Sequence, residues 1–373
     1  MPDILPTVVL VGENATRIWG MSIDERTRRM ADKAKLPFGD ALADAPALLV
    51  NRSFVFDPPW LKHHAANPGA VLTIGGVPVI GHGRDAAERE RIAAAMAGGR
   101  PLADTGALDV VAYEDGASIV NAELRKRETP FAMPLTPGTV KAAERASYFG
   151  AYKGVTDILT KYLWPEWALV LTRIAARIGM TPNMVTALGA ALCVAATFAF
   201  WHGHYWLGMA MGLVFMVLDT VDGKLARCTI TSSWWGNVFD HGIDLVHPPF
   251  WWWAWGVGLA AYGLPLAPGL LWMLLAVIVG VYVLQRVVEG EFIRRFGMHI
   301  HVWRKVDSDF RLITARRNPN MVILFVSMLF QRPDLGLIAV AWWTVISFVV
   351  HVVQLVQAML ARANGREIRS WLA

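Results

Sequence analysis

Long apolar segments fill the second half of this chain and limit the folds that it can adopt. They lie near residues 183–202, 204–225, 235–262, 267–290, 319–333 and 335–361. A helix needs roughly 20 apolar residues to cross a bilayer, and only the fifth segment is clearly shorter. The pattern predicts an all-α domain of six transmembrane helices over residues 181–362.

Basic residues mark one side of these segments. The connections near 202–205 and 262–268 contain no lysine or arginine, whereas the segment 294–317 and the C-terminal tail are rich in arginine. Loops rich in Lys and Arg stay in the cytoplasm. We therefore predict an integral protein of the inner, cytoplasmic membrane with both termini on the cytoplasmic side. A formal net charge of +5 agrees with this orientation and requires no nucleic acid partner.

The segment just before the first apolar run is amphipathic. Residues 157–178 place Lys161, Arg173 and Arg177 among leucine, tryptophan and isoleucine. A surface helix of a soluble domain has the same pattern. The position next to a membrane segment favours an amphipathic interfacial helix, which we place within residues 150–180.

The first 140 residues alternate short apolar runs with polar stretches. Strands are predicted near 7–11, 47–56, 70–80 and 109–113, and helices near 24–35 and 85–96. This alternation is typical of an α/β layer domain. The proline-rich segment 129–138 is the predicted linker. The chain is therefore expected to have two parts, a soluble α/β domain over 1–140 and the membrane domain.

Four aspartates interrupt the second and third apolar segments, where an ionised side chain is costly. Asp219 and Asp222 are three residues apart, and Asp240 and Asp244 are four apart, so each pair lies on one helical face. Acids inside a membrane domain usually serve function. Two acidic faces brought together need cations between them, and carboxylates suit hard ions. We expect two ions of Mg²⁺ or Mn²⁺ here.

The surrounding residues complete a longer pattern. From Asp219 to Asp244 the sequence follows D-x2-D-G-x2-A-R-x8-G-x3-D-x3-D without a departure. In this pattern the region resembles the CDP-alcohol phosphotransferases, integral membrane enzymes that make phospholipids and related phosphodiesters. The likeness covers about residues 153–361 and includes the Thr-Pro-Asn-Met step at 181–184.

The resemblance implies a role for each aspartate and a nucleotide site beside them. Asp219 and Asp240 would bridge both metal ions, and Asp222 would bind one. Asp244 would bind the other and act as the general base for the acceptor hydroxyl. Small residues let a nucleotide approach the backbone, and an arginine binds phosphate. The expected nucleotide residues are Thr181, Pro182, Asn183, Met184, Gly223, Ala226, Arg227, Ser233 and Gly236.

A basic segment from 286 to 317 follows the fourth apolar run. Arginines beside a metal site can bind a phosphate on the acceptor or lipid headgroups, and a solvated basic loop is the alternative. His299 and His301 are two residues apart, do not share a helical face, and are not expected to form a metal pair. The predicted acceptor-phosphate residues are Arg286, Arg311, Arg316 and Arg317.

The N-terminal half resembles the sugar-phosphate nucleotidyltransferases in layout. A strand at 7–11 runs into a turn at 12–17, and a second strand ends at Asp57. The turn lacks the glycines of the loop that holds the nucleotide triphosphate in those enzymes. We therefore expect a degenerate, inactive relative that stabilises, dimerises or regulates the membrane half.

The resemblance implies an enzyme that moves a substituted phosphate from a CDP-alcohol to an acceptor hydroxyl and releases CMP. The donor is CDP-diacylglycerol or a soluble CDP-polyol, as in bifunctional-type inositol phosphodiester synthases, and the acceptor is an alcohol or a phosphorylated polyol. Transfer of a polar headgroup to a lipid hydroxyl is a third possibility. A transporter or a non-catalytic membrane scaffold is the alternative of another class, because buried acids also serve cation pathways.

The third apolar segment is rich in tryptophan, at 251–253 and 255. Members of the resembling family are often dimers, so these residues could line a homodimer interface. They could equally form an interfacial aromatic belt.

Overall fold

The computed structural model describes residues 5–39, 46–116, 119–121 and 126–372. Its first part alternates strands and helices, as predicted for an α/β domain. The strands are β1 (Thr7–Val11), β2 (Ala47–Asn51), β3 (Phe54–Phe56), β4 (Ala70–Ile74), β5 (Val77–Gly83), β6 (Asp109–Ala112), β7 (Ile119–Asn121), β8 (Lys126–Glu128) and β9 (Ala132–Pro134). The helices are α1 (Ile23–Ala34), α2 (Pro58–Ala66), α3 (Ala86–Gly98) and α4 (Val140–Gly150).

Five strands form one sheet in the order β1-β2-β5-β4-β6. β1 is parallel to β2 and β6 to β4, while β5 is antiparallel to both of its neighbours. Side chains alternate across the sheet, so both faces are covered. Leu48 and Val50 pack in one apolar cluster with residues of α1 and α2. Leu49 and Val71 pack in another with residues of α3.

The predicted strand at 47–56 is wrong as a single element, because the chain turns after Asn51. The Asn51 Oδ1 accepts a hydrogen bond from the Ser53 amide at 3.0 Å, and β3 then pairs with β9 away from the main sheet. The predicted linker at 129–138 therefore contains a paired strand, and Leu135 beside it is 2% exposed. Pro134 is tolerated because β9 belongs to a two-stranded sheet and has a free edge.

The second part of the chain is helical. The predicted amphipathic helix is interrupted at Trp164, which separates a π-helical turn (Leu159–Leu163) from α5 (Pro165–Arg177). Pro165 suits the first position of a helix, where an amide hydrogen has no partner. The following helices are α6 (Pro182–Trp201), α7 (Tyr205–Cys228), α8 (Trp234–Tyr262), α9 (Pro268–Phe296), α10 (Lys305–Arg311), α11 (Arg317–Leu329) and α12 (Pro333–Ala363).

Within the described residues, four helices are long and apolar enough to cross a membrane: α6, α7, α9 and α12. The other two predicted spans are also helical, but they do not meet the same criterion of length and composition. α8 is long and includes aspartates, histidines and two prolines, and α11 has only 13 residues.

Three tryptophans of α8 lie inside the helical bundle. Trp251, Trp252 and Trp255 are at most 2% exposed. The Trp251 Nε1 donates to the Cys193 carbonyl at 3.1 Å, and the Trp255 Nε1 donates to the Pro333 carbonyl at 3.1 Å. Buried indoles need such acceptors. For these three residues, a dimer interface and an aromatic belt are both wrong, since they form core contacts within one chain.

Candidate active site

Two consecutive helices bring the acidic residues together. Asp219 and Asp222 lie in the C-terminal half of α7, and Asp240 and Asp244 lie in the N-terminal half of α8. Carboxylate oxygens of Asp219, Asp240 and Asp244 lie within 4.8 Å of one another. Negative charges at this separation repel strongly in a protein interior. The arrangement therefore requires positive charge between the two helices.

Asp222 is held by a partner on the preceding helix. The carboxylate is 3% exposed, and its Oδ2 accepts a hydrogen bond from the Thr186 Oγ1 at 2.6 Å. The Gly223 amide donates to its other oxygen. Hydrogen bonds to an ionised carboxylate are stronger than neutral ones, so Thr186 on α6 fixes the direction in which this carboxylate points.

Arg317 connects the acids of the two helices. Its Nη2 lies 2.8 Å from the Asp219 Oδ2, and its Nη1 lies 2.6 Å from the Asp244 Oδ1. The sequence predicted Arg317 as an acceptor-phosphate residue. The structure pairs it with two of the predicted metal ligands, and it also lines a cavity together with the other three residues predicted for an acceptor phosphate.

The oxygen ligands of these aspartates fit a hard divalent cation. Asp219, Asp240 and Asp244 offer only oxygen ligands, and Asp222 lines a common gap with Asp219 and Asp240. Arg317 supplies one positive charge to this group of four carboxylates. Mg²⁺ and Mn²⁺ both prefer carboxylate oxygen. The residues present are therefore suited to hold divalent ions.

A cavity of about 470 Å³ lies on the side of Asp222 and Asp240. Its walls are formed by residues of α6, α7, α8 and the connection between α7 and α8, by the end of α5 with residues 179–180, and by Arg29 of α1 with residues 19–21. Seven of the nine expected nucleotide residues line it: Thr181, Pro182, Asn183, Gly223, Ala226, Ser233 and Gly236.

Two helices begin at this cavity. The Thr181 Oγ1 caps α6 by accepting from the Met184 amide at 3.2 Å, and the Ser233 Oγ caps α8 by accepting from the Gly236 amide at 3.0 Å. Helix N-termini favour anions such as phosphate. A Cβ at position 236 would lie 3.1 Å from the Asn183 Oδ1, so glycine permits the close approach of α8 to α6.

Met184 and Arg227, the other two residues predicted for the nucleotide, do not line this cavity among the described residues. The Met184 side chain is 52% exposed and is not among the described residues that line this cavity. Arg227 lines the neighbouring cavity and lies along α7. Its Nη2 would be 3.1 Å from a Cβ at position 223. Gly223 thus leaves room for the guanidinium one turn away.

A second cavity of about 510 Å³ lies on the other side of the acids. Gly223 and Asp240 line both cavities, so the two meet at the aspartates. The second cavity is strongly basic, because Lys153 and Lys224 also line it. The structure brings together here all four residues that were predicted for an acceptor phosphate: Arg286, Arg311, Arg316 and Arg317.

Glu289 on α9 holds two of these arginines. Its carboxylate lies 2.9 Å from the Arg286 Nη2 and 2.6 Å from the Arg316 Nη2. His301 and His351 complete a buried Glu-His-His cluster. Burial holds the pKa of His301 well below its ordinary value, so this imidazole is neutral. Since two guanidiniums already contact the carboxylate, the cluster is better suited to orient arginines than to bind a cation.

Several residues of the site were not found from the sequence. Glu289 is a carboxylate within an apolar segment, so the argument that singled out the aspartates could also have found it. Thr186 and Asn237 line the first cavity, and no distinctive sequence pattern marks them. Asp157 lines the basic cavity. Burial alone would raise the pKa of Asp157, but nearby Arg311 and hydrogen bonds keep that pKa below its ordinary value.

The family comparison agrees with this geometry. Residues 179–307, which include all four aspartates, match the sequence profile of the CDP-alcohol phosphatidyltransferases. This part of the chain is similar to that family. The matched residues and the four long apolar helices all lie in the second half of the chain, and together they support an integral membrane protein.

Three relatives illustrate the range of similar proteins. Cholinephosphotransferase 1 of Gallus gallus is 36% identical over 129 residues, which are 31% of this chain and 37% of that protein. The phosphatidylinositol phosphate synthase of Streptomyces avermitilis is 36% identical over 93 residues, which are 24% of this chain and 38% of the synthase. Human (Homo sapiens) cholinephosphotransferase 1 is 34% identical over 128 residues, which are 31% of this chain and 30% of that protein. The chain thus spans roughly a third of the length of the curated relatives that it matches.

Proposed function

We propose that the protein moves a substituted phosphate from a CDP-alcohol to an acceptor hydroxyl with release of CMP, in the synthesis of phospholipids or related phosphodiesters. One observation carries this proposal. Asp219, Asp240 and Asp244 lie within 4.8 Å of one another where two cavities meet. The first cavity suits a nucleotide, and the second, lined by arginines, suits an anionic acceptor.

Asp219, Asp222, Asp240 and Asp244 would hold two ions of Mg²⁺ or Mn²⁺. Such ions neutralise a pyrophosphate and stabilise the charge that develops on a leaving phosphate. Thr186 keeps Asp222 directed towards the shared gap. The N-termini of α6 and α8 and the small residues around them bind the nucleotide and exclude water from its phosphates.

Asp244 is proposed as the general base. It lines the acceptor cavity, and its side chain is 44% exposed, against 18% for Asp219. In the proposed step the acceptor oxygen forms a bond to the β-phosphorus. The bond between that phosphorus and the bridging oxygen breaks, and CMP leaves with the electron pair. Asp244 takes the proton of the acceptor hydroxyl.

The acceptor is proposed to be a phosphorylated polyol. The names of the relatives denote choline phosphate transfer and the synthesis of phosphatidylinositol phosphate. A cavity lined by Arg286, Arg311 and Arg316 favours an acceptor that carries phosphate, because guanidinium groups bind phosphate through paired hydrogen bonds. A choline-type substrate carries a positive charge, which these arginines would repel.

We also propose six spans, with α8 and α11 completing the bundle and the active site facing the cytoplasm. The distribution of basic residues supports this orientation. α5 is proposed to lie along the membrane surface. Trp167, Val170 and Ile174 on one of its faces are 47–53% exposed, whereas Ala168 and Leu169 are buried. An apolar face without a protein partner suits the lipid boundary.

The N-terminal domain is proposed to lack nucleotidyltransferase activity. Arg52 donates to the Gly12 carbonyl at 2.8 Å and pairs with Asp24 at 2.8 Å. A side chain of the same domain thus contacts the turn after β1, where a nucleotide triphosphate would need free backbone groups.

Release of CMP by the purified full chain in lipid nanodiscs tests the proposed reaction. CDP-diacylglycerol, CDP-choline and CDP-inositol are each offered with Mg²⁺, with and without phosphorylated and unphosphorylated acceptors. We expect acceptor-dependent CMP release from at least one donor, loss of release with EDTA, and loss in Asp240→Asn. A folded wild-type protein that releases no CMP from any donor would contradict the enzyme and favour a scaffold or transporter.

A further inference from the structure

One helix of the N-terminal domain contacts the end of the helix that carries the first two aspartates. The Arg26 Nη1 donates to the Cys228 carbonyl at 2.9 Å, and the Arg29 Nη1 donates to the Thr229 carbonyl at 2.8 Å. Arg26 is 1% exposed, so its contact is fully enclosed. These carbonyls lie at the C-terminal end of α7, where the helix dipole favours cations. α1 therefore stabilises the end of α7.

The connection between α7 and α8 is anchored in the same domain. Ile230 is 5% exposed and packs in the apolar cluster shared by the sheet, α1 and α2. Its φ of 56° is rare for a β-branched residue. Such a conformation persists only where the surrounding structure imposes it. Lys33 of α1 also donates to the Ser232 Oγ.

This connection is at the same time a wall of the nucleotide cavity. Thr229, Thr231, Ser232 and Ser233 line the cavity, and Ser233 caps the helix that carries Asp240 and Asp244. A shift of the connection would therefore alter both the cavity and the start of α8.

Arg29 faces the cavity itself. It lines the cavity next to the segment 19–21, and its side chain is 31% exposed. Glu25 accepts a hydrogen bond from its Nε at 2.8 Å. The guanidinium is thus held from two sides, by Glu25 and by the Thr229 carbonyl, at the edge of the space in which an anionic nucleotide would lie.

We infer that α1 is part of the donor-nucleotide site. It holds the connection between α7 and α8 in its binding shape, and Arg29 is a positioning residue for the cytidine nucleotide. This inference rests on the proposed function, and it assigns the N-terminal domain a role in binding the donor of the membrane domain. Since α1 acts on the nucleotide and not on the acceptor, its loss affects the affinity for CMP and the KM for the CDP-alcohol more than kcat.

Titration of the full chain with CMP in the presence of Mg²⁺, followed by calorimetry, tests the inference. Arg29→Gln is compared with Arg28→Gln, which removes the same charge one residue away. Arg28 is 56% exposed, pairs with Glu25 at 3.7 Å and is not among the described residues that line the cavity. We expect Arg29→Gln to weaken CMP binding roughly tenfold, as for a lost hydrogen bond from a charged group. Arg28→Gln should bind like wild type, and Arg29→Lys should recover part of the affinity.

A second variant and a second measurement separate binding from folding. Lys33→Ala removes an exposed side chain and should weaken CMP binding several-fold. Saturating CMP should raise the melting temperature of wild type and Arg28→Gln more than that of Arg29→Gln. If wild type binds CMP, and Arg29→Gln and Lys33→Ala bind it as tightly as Arg28→Gln does, the inference about α1 is wrong. The proposed function would not be affected by that result. Absence of CMP binding by folded wild type would contradict the proposed function as well.

Discussion

Arg317, in the first turn of α11, pairs with Asp219 of α7 across 2.8 Å between Nη2 and Oδ2. The same guanidinium reaches Asp244 of α8 at 2.6 Å. Three helices thus meet at one arginine, and its positive charge lies among carboxylates that are also suited to hold divalent ions. Arg317 and divalent ions held by these acids would therefore stabilise the same negative charges.

Removal of this guanidinium should make the stability of the protein depend on metal. Without divalent ions, Arg317→Gln leaves two acids unpaired and should lower the free energy of unfolding by about 3–5 kcal/mol. Mg²⁺ should restore most of that loss. Melting temperatures in EDTA and in Mg²⁺ measure the effect, and Arg332→Gln, which breaks the ion pair with Asp334, is the control. An equal loss of melting temperature in EDTA and in Mg²⁺ would argue against the view that Arg317 and divalent ions stabilise the same acids.

Substitution by asparagine should have different effects at Asp244 and at Asp240. Asp244→Asn removes the proposed base and should lower kcat by a factor of about 10²–10⁴, while Mn²⁺ still binds. Asp240→Asn, at the meeting point of both cavities, should weaken Mn²⁺ binding more strongly. Turnover and Mn²⁺ titration measure the two effects. Turnover of Asp244→Asn at the wild-type rate would refute its assignment as the base.

The hydrogen bond from Thr186 to Asp222 should contribute to metal affinity. Thr186→Val keeps the side-chain shape but removes a donor to a buried carboxylate, which is worth roughly 1.5–3 kcal/mol. We expect a roughly tenfold higher Mg²⁺ concentration for half-maximal activity. Thr197→Val on the same helix, where the hydroxyl donates to the Cys193 carbonyl of the preceding turn, should leave that concentration unchanged. If both variants need a similar Mg²⁺ concentration for half-maximal activity, the hydrogen bond from Thr186 does not contribute to metal affinity.

Gly236 should be sensitive to a single added methyl group. In Gly236→Ala the new Cβ would meet the Asn183 Oδ1 at 3.1 Å, so we expect weaker CMP binding without loss of fold. Gly242→Ala in the same helix is the matched control, because a Cβ there meets nothing within 4 Å. Equal CMP affinities in calorimetry would show that the approach of α8 to α6 is not needed for the nucleotide.

Glu289 should act on the acceptor rather than on the donor. Glu289→Gln releases Arg286 and Arg316 from their carboxylate, so we expect a KM for a phosphorylated acceptor that rises roughly tenfold and a KM for the CDP-alcohol that does not change. The control is Glu291→Gln, which loses pairs with Arg294 and Arg295 outside the cavity. Since breaking a buried pair can destabilise the fold, melting curves accompany the kinetics. A parallel rise in both KM values would contradict a role limited to the acceptor.

The spacing of the aspartates predicted much of the site because the helical period is regular. Residues three or four apart share a face wherever the helix lies, so Asp219 with Asp222, and Asp240 with Asp244, could be paired from the sequence. The same regularity failed at 47–56, where a local hydrogen bond from the Ser53 amide to Asn51 turns the chain. Periodicity does not detect such a turn, since it depends on side-chain geometry at one residue.

The sequence by itself determined the apolar helices, the acidic motif and the α/β character of the first part, because these follow from local period and composition. Only the tertiary structure decided that Arg317 pairs with acids 98 and 73 residues away. The same holds for Glu289 and its arginines, and for α1 at the wall of the nucleotide cavity. Contacts between distant segments depend on how helices and the sheet pack, and no local pattern in a single chain encodes that packing.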